Sequence, residues 1–166
     1  MRPAFSGVTL WLVGALLTVG SNRVDQKKFD GVYRAAKALE VDIDITDGVS
    51  VAQSRVLLKQ LQTEVSLLQG RTNGQREADA LAAYVEAADA YSEFLRFRFL
   101  DLHGDTDPDG RKIIMGEVVD VAAKYQLPTE TRGDTKWVDT GAALRLLSAA
   151  AKSKVTRAAQ ILNGQT

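Results

Sequence analysis

Asp105-Thr106-Asp107-Pro108-Asp109-Gly110 sets three carboxylates at alternate positions and closes them with a glycine. Alternate acids in a loop converge on one point, and a hard divalent cation takes oxygen ligands of this kind while glycine permits the sharp turn. Asp105, Asp107 and Asp109 are therefore the candidate metal ligands, with Asp101 or Glu117 as further donors and Ca2+ as the ion. A simpler account of the same residues is a solvated turn, in which Asp, Pro and Gly serve the backbone alone. His103 is the only histidine. It cannot build a multi-histidine site, and at a helix C-terminus an imidazole has the simpler task of facing the dipole. Glu86 with Asp89, and Asp89 with Glu93, stand three or four residues apart, a spacing that suits acid-base work on one helix face. Together with Glu77, Asp79 and Asp101, however, they trace the solvated side of a long helix. The sequence has no nucleophile elbow, phosphate-binding glycine loop or dinucleotide fingerprint.

The six residues from Asp105 to Gly110 resemble the opening of an EF-hand loop, and helices are expected on both sides of them. Beyond that point the pattern departs. Position 12, which supplies a bidentate Glu in such loops, is Gly116, with Glu117 one residue late, and the usually apolar position 8 is Lys112. No second loop of the kind is present to pair with it. The resemblance implies a weak calcium site and nothing more.

Apolar residues recur at helical spacing through most of the chain. Phe29, Val32, Ala36 and Leu39 mark a first helix over 25 to 41; Val51, Leu58, Leu61, Val65 and Leu68 mark a second that stops near Gly70. Leu81, Val85, Ala88, Leu95, Phe99 and Leu102 mark a long third helix, with Tyr84 and Tyr91 beside the stripe. Its end, where Phe94, Leu95, Phe97, Phe99 and Leu100 nearly surround the axis, is expected to lie deepest in the core. Ile114, Val118, Val121 and Tyr125 predict a fourth helix stopped by Pro128, and Trp137, Gly141, Leu144, Ala151, Val155, Ala158 and Leu162 a fifth. The stretch 42 to 49 alternates like a strand around Asp47-Gly48, yet a two-residue turn would set apolar residues against polar ones, so it reads as a loop. The expected fold is all-α, a small bundle of about five helices behind an N-terminal apolar leader. Tyr33, Tyr84, Tyr91, Tyr125 and Trp137 fit core packing.

From Pro3 to Asn22 there is no charged residue. Arg2, the apolar run Val8 to Val19 and the small residues Thr18, Gly20 and Ser21 describe a secretory signal peptide cleaved after Gly20 or Ser21. The run Ala4 to Ser21 also has the length of an uncleaved membrane anchor, and Arg23, Lys27 and Lys28 beyond it leave the orientation open. Residues 1–22 are thus a leader and 23–166 a single helical domain outside the cytoplasm, periplasmic or secreted if the leader is cleaved.

The 166 residues are 45% hydrophobic and carry 21 basic and 21 acidic side chains. That composition excludes disorder and gives no field to attract nucleic acid. Zero cysteines exclude disulfide scaffolds, thiolate zinc sites and cysteine nucleophiles. Charge is nevertheless segregated: residues 77 to 110 hold nine acids against Arg96 and Arg98, whereas 140 to 166 hold Arg145, Lys152, Lys154 and Arg157 and no acid. The basic last helix is expected to dock on the acidic helix of its own bundle, or to meet a protein partner or an anionic membrane surface. With no catalytic set in view, the expected function is binding or structural contact in the cell envelope, with a calcium-responsive module as the alternative.

Overall fold

The computed structural model describes residues 24–44, 51–103, 113–115, 118–133 and 135–165. A 3-10 turn, Gln26–Phe29, leads into α1 (Asp30–Asp44). There follow α2 (Val51–Leu68), α3 (Gln75–His103), β1 (Ile113–Met115), α4 (Val119–Tyr125), β2 (Thr129–Arg132), β3 (Thr135–Asp139) and α5 (Thr140–Leu162). The class is all-α. The leader, 1–22, lies outside the described residues.

α1, α2, α3 and α5 form an up-down-up-down bundle in which each helix runs antiparallel to its neighbours and α1 lies diagonal to α3. The α3–α5 contact is by far the most extensive. It is made of small residues: Ala80, Ala83, Ala87 and Ala90 on α3 and Ala143, Ala151 and Ala158 on α5 are buried, and short side chains let two helix axes approach closely. Phe29, Leu39, Leu61, Tyr84, Tyr91, Phe97, Leu147 and Val155 fill the remaining interior. α2 ends where Gly70 takes φ +75°, a left-handed conformation that costs other residues dearly. α4 ends on Gln126 at φ +52°, with the Leu127 N–H donating to the Ala122 carbonyl at 2.9 Å and Pro128 beyond it.

Four expectations are corrected. α1 continues to Asp44 with Ile43 buried, so 42–44 are helical; 45–50 lie outside the described residues. The fourth helix begins at Val119, and Ile114 belongs to a strand instead. Trp137 is not in the fifth helix, which starts at Thr140 because Asp139 caps it by accepting from the Ala142 N–H at 2.8 Å. Ile113–Met115, Thr129–Arg132 and Thr135–Asp139 pair as an antiparallel sheet in the order β1-β3-β2, with Gly133 at φ +59° in the tight β2–β3 connection. Finally, the C-terminal end of α3 is not the deepest part of the core: Phe99 and Leu102 are 42% and 49% exposed, while Tyr84 and Tyr91 are fully buried. Phe94, Leu95 and Phe97 of the same stretch are buried, whereas Phe99 borders an open cleft between α2 and α3.

Tyr84 stacks on Phe29 with ring centroids 6.3 Å apart, yet neither its hydroxyl nor that of Tyr91 has a hydrogen-bond partner among the described residues. Burial pushes the Tyr84 phenol up to about 12, with Tyr33 adding to it. Burial also raises Tyr91, helped by the negative charges of Glu40 and Asp44. Both phenols therefore ionise more readily unfolded than folded, and their contribution, complete below pH 10, is expected to fall as pH rises towards 12. Tyr91→Phe removes an unsatisfied hydroxyl and should leave stability within about 1 kcal/mol of wild type or raise it. Leu61→Ala, in the same core, should cost about 3 kcal/mol. Urea unfolding of the two variants and an alkaline titration of wild-type stability check both statements.

Candidate functional site

Asp105, Asp107, Asp109 and Glu117 lie outside the described residues. Asp101 is engaged elsewhere: the Thr140 hydroxyl donates to its Oδ1 at 3.0 Å and Arg98 lies 3.5 Å from its Oδ2, so this carboxylate ties the end of α3 to the start of α5. His103 is the last residue of α3. Among the described residues no three His, Asp or Glu side chains are grouped to hold a metal ion.

The acids of α3 do not converge. Glu86 pairs with Lys154 of α5, Asp89 with Lys124 of α4 at 3.7 Å, and Glu93 with Arg96 of its own helix at 3.6 Å. The basic last helix does dock on the acidic one, through Lys154, while Lys152 reaches Asp44 of α1 at 2.5 Å. These pairs are about half exposed on their acidic side, so each contributes little energy and mainly sets register. The aromatic residues also stay apart: Tyr33 is exposed, Tyr84 and Tyr91 are buried, Tyr125 is half-buried on α4 and Trp137 half-buried on β3.

One residue was placed on the wrong side by sequence reasoning. Glu77 belongs to the run of acids assigned to solvent, yet it is 1% exposed. Its carboxylate accepts from the Lys28 ammonium at 2.5 Å, the Asn73 N–H at 2.8 Å and the Asp25 N–H at 3.2 Å. Three segments, the entry to α1, the α2–α3 turn and the first turn of α3, are thereby joined at one side chain. Burial acts to raise the Glu77 carboxyl, but the Lys28 hydrogen bond and the two backbone donors outweigh it and hold the group below its ordinary value. The only sequence signal was its place in the first turn of a helix, where an acid faces the positive end of the dipole.

Open clefts lie between helices among the described residues. One of about 700 Å³ runs between the first half of α3 and the last half of α5; Ala82, Ala83 and Ile161 line it, with Arg76, Asp79, Glu86 and Arg157 around them. A cleft of about 320 Å³ separates α3 from α4 near Asp89 and Tyr125. A third, of about 410 Å³, lies between α2 and α3, where the Arg55 guanidinium sits 5.3 Å from the centre of the Phe99 ring. No helix among the described residues is long and apolar enough to cross a membrane. No family model, curated protein or solved structure matches the chain.

Removing the carboxylate of Glu77 strands an ammonium and two backbone donors, and Glu77→Ala is expected to cost about 3 kcal/mol. A depressed folded pKa contributes stability that is present at neutral pH and disappears as pH falls through and below the ordinary value of 4.5. The stability gap between wild type and Glu77→Gln should therefore narrow in acid. Chemical denaturation of both proteins from pH 7 down to pH 3 measures it, and a gap that stays constant would show that the ionised carboxylate has no part in the staple.

Proposed function

We propose that the chain is an exported or membrane-anchored helical domain that acts by binding or structural contact in the cell envelope. The observation that carries the reading is how the ionisable groups of the bundle are used. Glu77, Asp44, Glu86, Asp89 and Asp101 each hold one element against another, and the space between helices is open groove lined by mixed charge and small apolar residues. Such a body presents surfaces for a partner. Export rests on the leader: Arg2, the uncharged run from Pro3 to Asn22 and small residues near its end. Cleavage of that leader would release residues 23–166 outside the cytoplasm, and anchoring would place them there if Arg2 marks the cytoplasmic side.

The alternative reading, a calcium-responsive module, is favoured by one specific observation, the Asp105-Gly110 motif. Isothermal titration of the full chain with CaCl2 decides it. Weak extracellular sites bind at about 0.1 to 1 mM, so a chain that releases no heat at millimolar calcium has no such site.

Export is tested by the intact mass of the protein from its native cells, with soluble and membrane fractions measured separately. The expected result is an extracytoplasmic species, beginning near Ser21 or Asn22 if soluble and full-length if confined to the membrane. A full-length species in the cytosol would overturn the proposal.

A further inference from the structure

We infer that the end of the bundle formed by the 3-10 turn, the α2–α3 connection and the C-terminus of α5 is a lipid-facing surface, seated on anionic phospholipid headgroups through Lys27, Arg71 and Arg76. The inference rests on the anchoring arm of the reading above, in which the uncharged run from Pro3 to Asn22 stays in the membrane. It adds which face of the bundle meets the lipid. Its first support is the length of chain between that run and the bundle. Asp25 is a fixed point of the fold, because its N–H donates to the buried Glu77 carboxylate at 3.2 Å. Asn22 and Asp25 are three residues apart, and three extended residues span about 10 Å at most. The headgroup layer is itself about 5 to 7 Å deep on each side of the hydrocarbon. An anchored chain thus holds this end at the headgroups, whichever side of the membrane the bundle occupies.

The second support is what this end presents. The start of α1, the end of α2, the start of α3 and the end of α5 meet here. The Gln26 side-chain amide donates to Asn163 Oδ1 at 2.9 Å and to the Leu162 carbonyl at 3.4 Å, which ties the 3-10 turn to the end of α5. Behind the turn, Phe29 is buried and stacked on Tyr84. The side chains are therefore carried on a fixed platform. Lys27, Arg71 and Arg76 are its outermost cations, all three exposed, and none of them takes part in an ion pair among the described residues. Lys28 is occupied by Glu77. Asp25 is the exposed acid of the same layer; Asp30 and Asp79 stand further along α1 and α3, Asp79 held by the Gln75 amide at 2.6 Å. An outer layer with three unpaired cations and one acid complements an anionic surface, to which each nearby Lys or Arg adds attraction.

The test reconstitutes the full chain through its leader into vesicles of phosphatidylcholine, alone or mixed with phosphatidylglycerol. The chain has no cysteine, so Gln69→Cys at this end and Gln53→Cys, about 24 Å back along α2, each take a single spin label; both positions are exposed. The readout is accessibility to a neutral, water-soluble nickel relaxation agent. The label at 69 is expected to be about fivefold less accessible in mixed vesicles than in phosphatidylcholine alone, and the label at 53 equally accessible in both. Roughly 0.5 M NaCl should abolish the difference, and so should Lys27→Glu combined with Arg71→Glu and Arg76→Glu, whereas Arg71→Lys with Arg76→Lys should keep it. Thermal melts of the variants should match wild type, since all three side chains are exposed. The inference is overturned if the full chain stays out of both kinds of vesicle, if the label at 69 is equally accessible in both, if the label at 53 is protected as strongly, or if the charge-reversed chain remains protected. A leader cleaved in the native cells also overturns it and leaves export standing. An anchored chain with its bundle in the cytosol sinks export and leaves this surface intact, so the two ideas fail separately.

Discussion

The close approach of α3 and α5 is the constraint from which the other arrangements follow. Ala80, Ala83, Ala87 and Ala90 of α3 and Ala143, Ala151 and Ala158 of α5 are all buried, and side chains this short let the axes of the most extensively packed helix pair lie close together. α1 and α2 are then a hairpin laid on that pair, and Leu39 and Leu61 from them, with Phe29 from the 3-10 turn before α1, fill what the alanines leave. Tyr84 and Tyr91 are trapped by the same geometry. They point into the space that α1 covers, where an aromatic ring fits but nothing offers a hydrogen bond to its hydroxyl. The unsatisfied hydroxyls work against stability, so the ring volume is what holds these residues in the core.

Two kinds of polar contact hold the bundle together, and they differ in strength. Glu77 is buried and fully satisfied, so it specifies where the chain enters α1 relative to the start of α3. Asp101 with Thr140, at the opposite end of α3, fixes the start of α5. Between these two clamps the surface pairs Lys152–Asp44 and Lys154–Glu86 are half exposed and weak. The net result is a bundle pinned at both ends of its longest helix, with its flanks free to carry charge for other purposes.

Most of this was readable from spacing where an element is long and one-sided. α2 was delimited closely, because Leu58, Leu61, Val65 and Leu68 repeat at helical intervals and Gly70 follows. The sheet escaped because its strands have three, four and five residues, too few for alternation to outweigh neighbouring helical periodicity. Trp137 happens to stand four residues before Gly141 and so continued the stripe of α5 backwards. The capping residue Asp139 and the turn residue Gly133 were the local signals against that extension. The segregation of charge between α3 and α5 was legible, and so was the docking of one on the other. The groove was not, because Arg76 and Arg157 are remote in sequence and face one opening only when two helices run antiparallel. Glu77 was misplaced for a related reason: its partners at 25, 28 and 73 come together only in the folded bundle.

The division of the α3–α5 surface into a covered half and an open half bears on why the chain carries the small sheet at all. A seven-residue helix has too little internal hydrogen bonding to persist alone. α4 is kept in place by tethers on both sides, β1 before it and β2 after it, both paired to β3, which runs directly into the cap of α5. The sheet therefore works as a bracket that pins α4 over the far half of the helix pair and keeps it from sliding along the stripe. The α4 residues Ala122 and Val121 and the adjacent Leu127 then bury apolar surface that α3 and α5 would otherwise expose. The near half has no bracket, and Arg76, Asp79, Glu86 and Arg157 stand around its floor of Ala82, Ala83 and Ile161. A surface left open by folding must be tolerable to water, and charged walls around a narrow apolar floor satisfy that requirement while preserving the groove. The same helix pair thus carries α4 on one half and leaves the other as a groove that water can occupy.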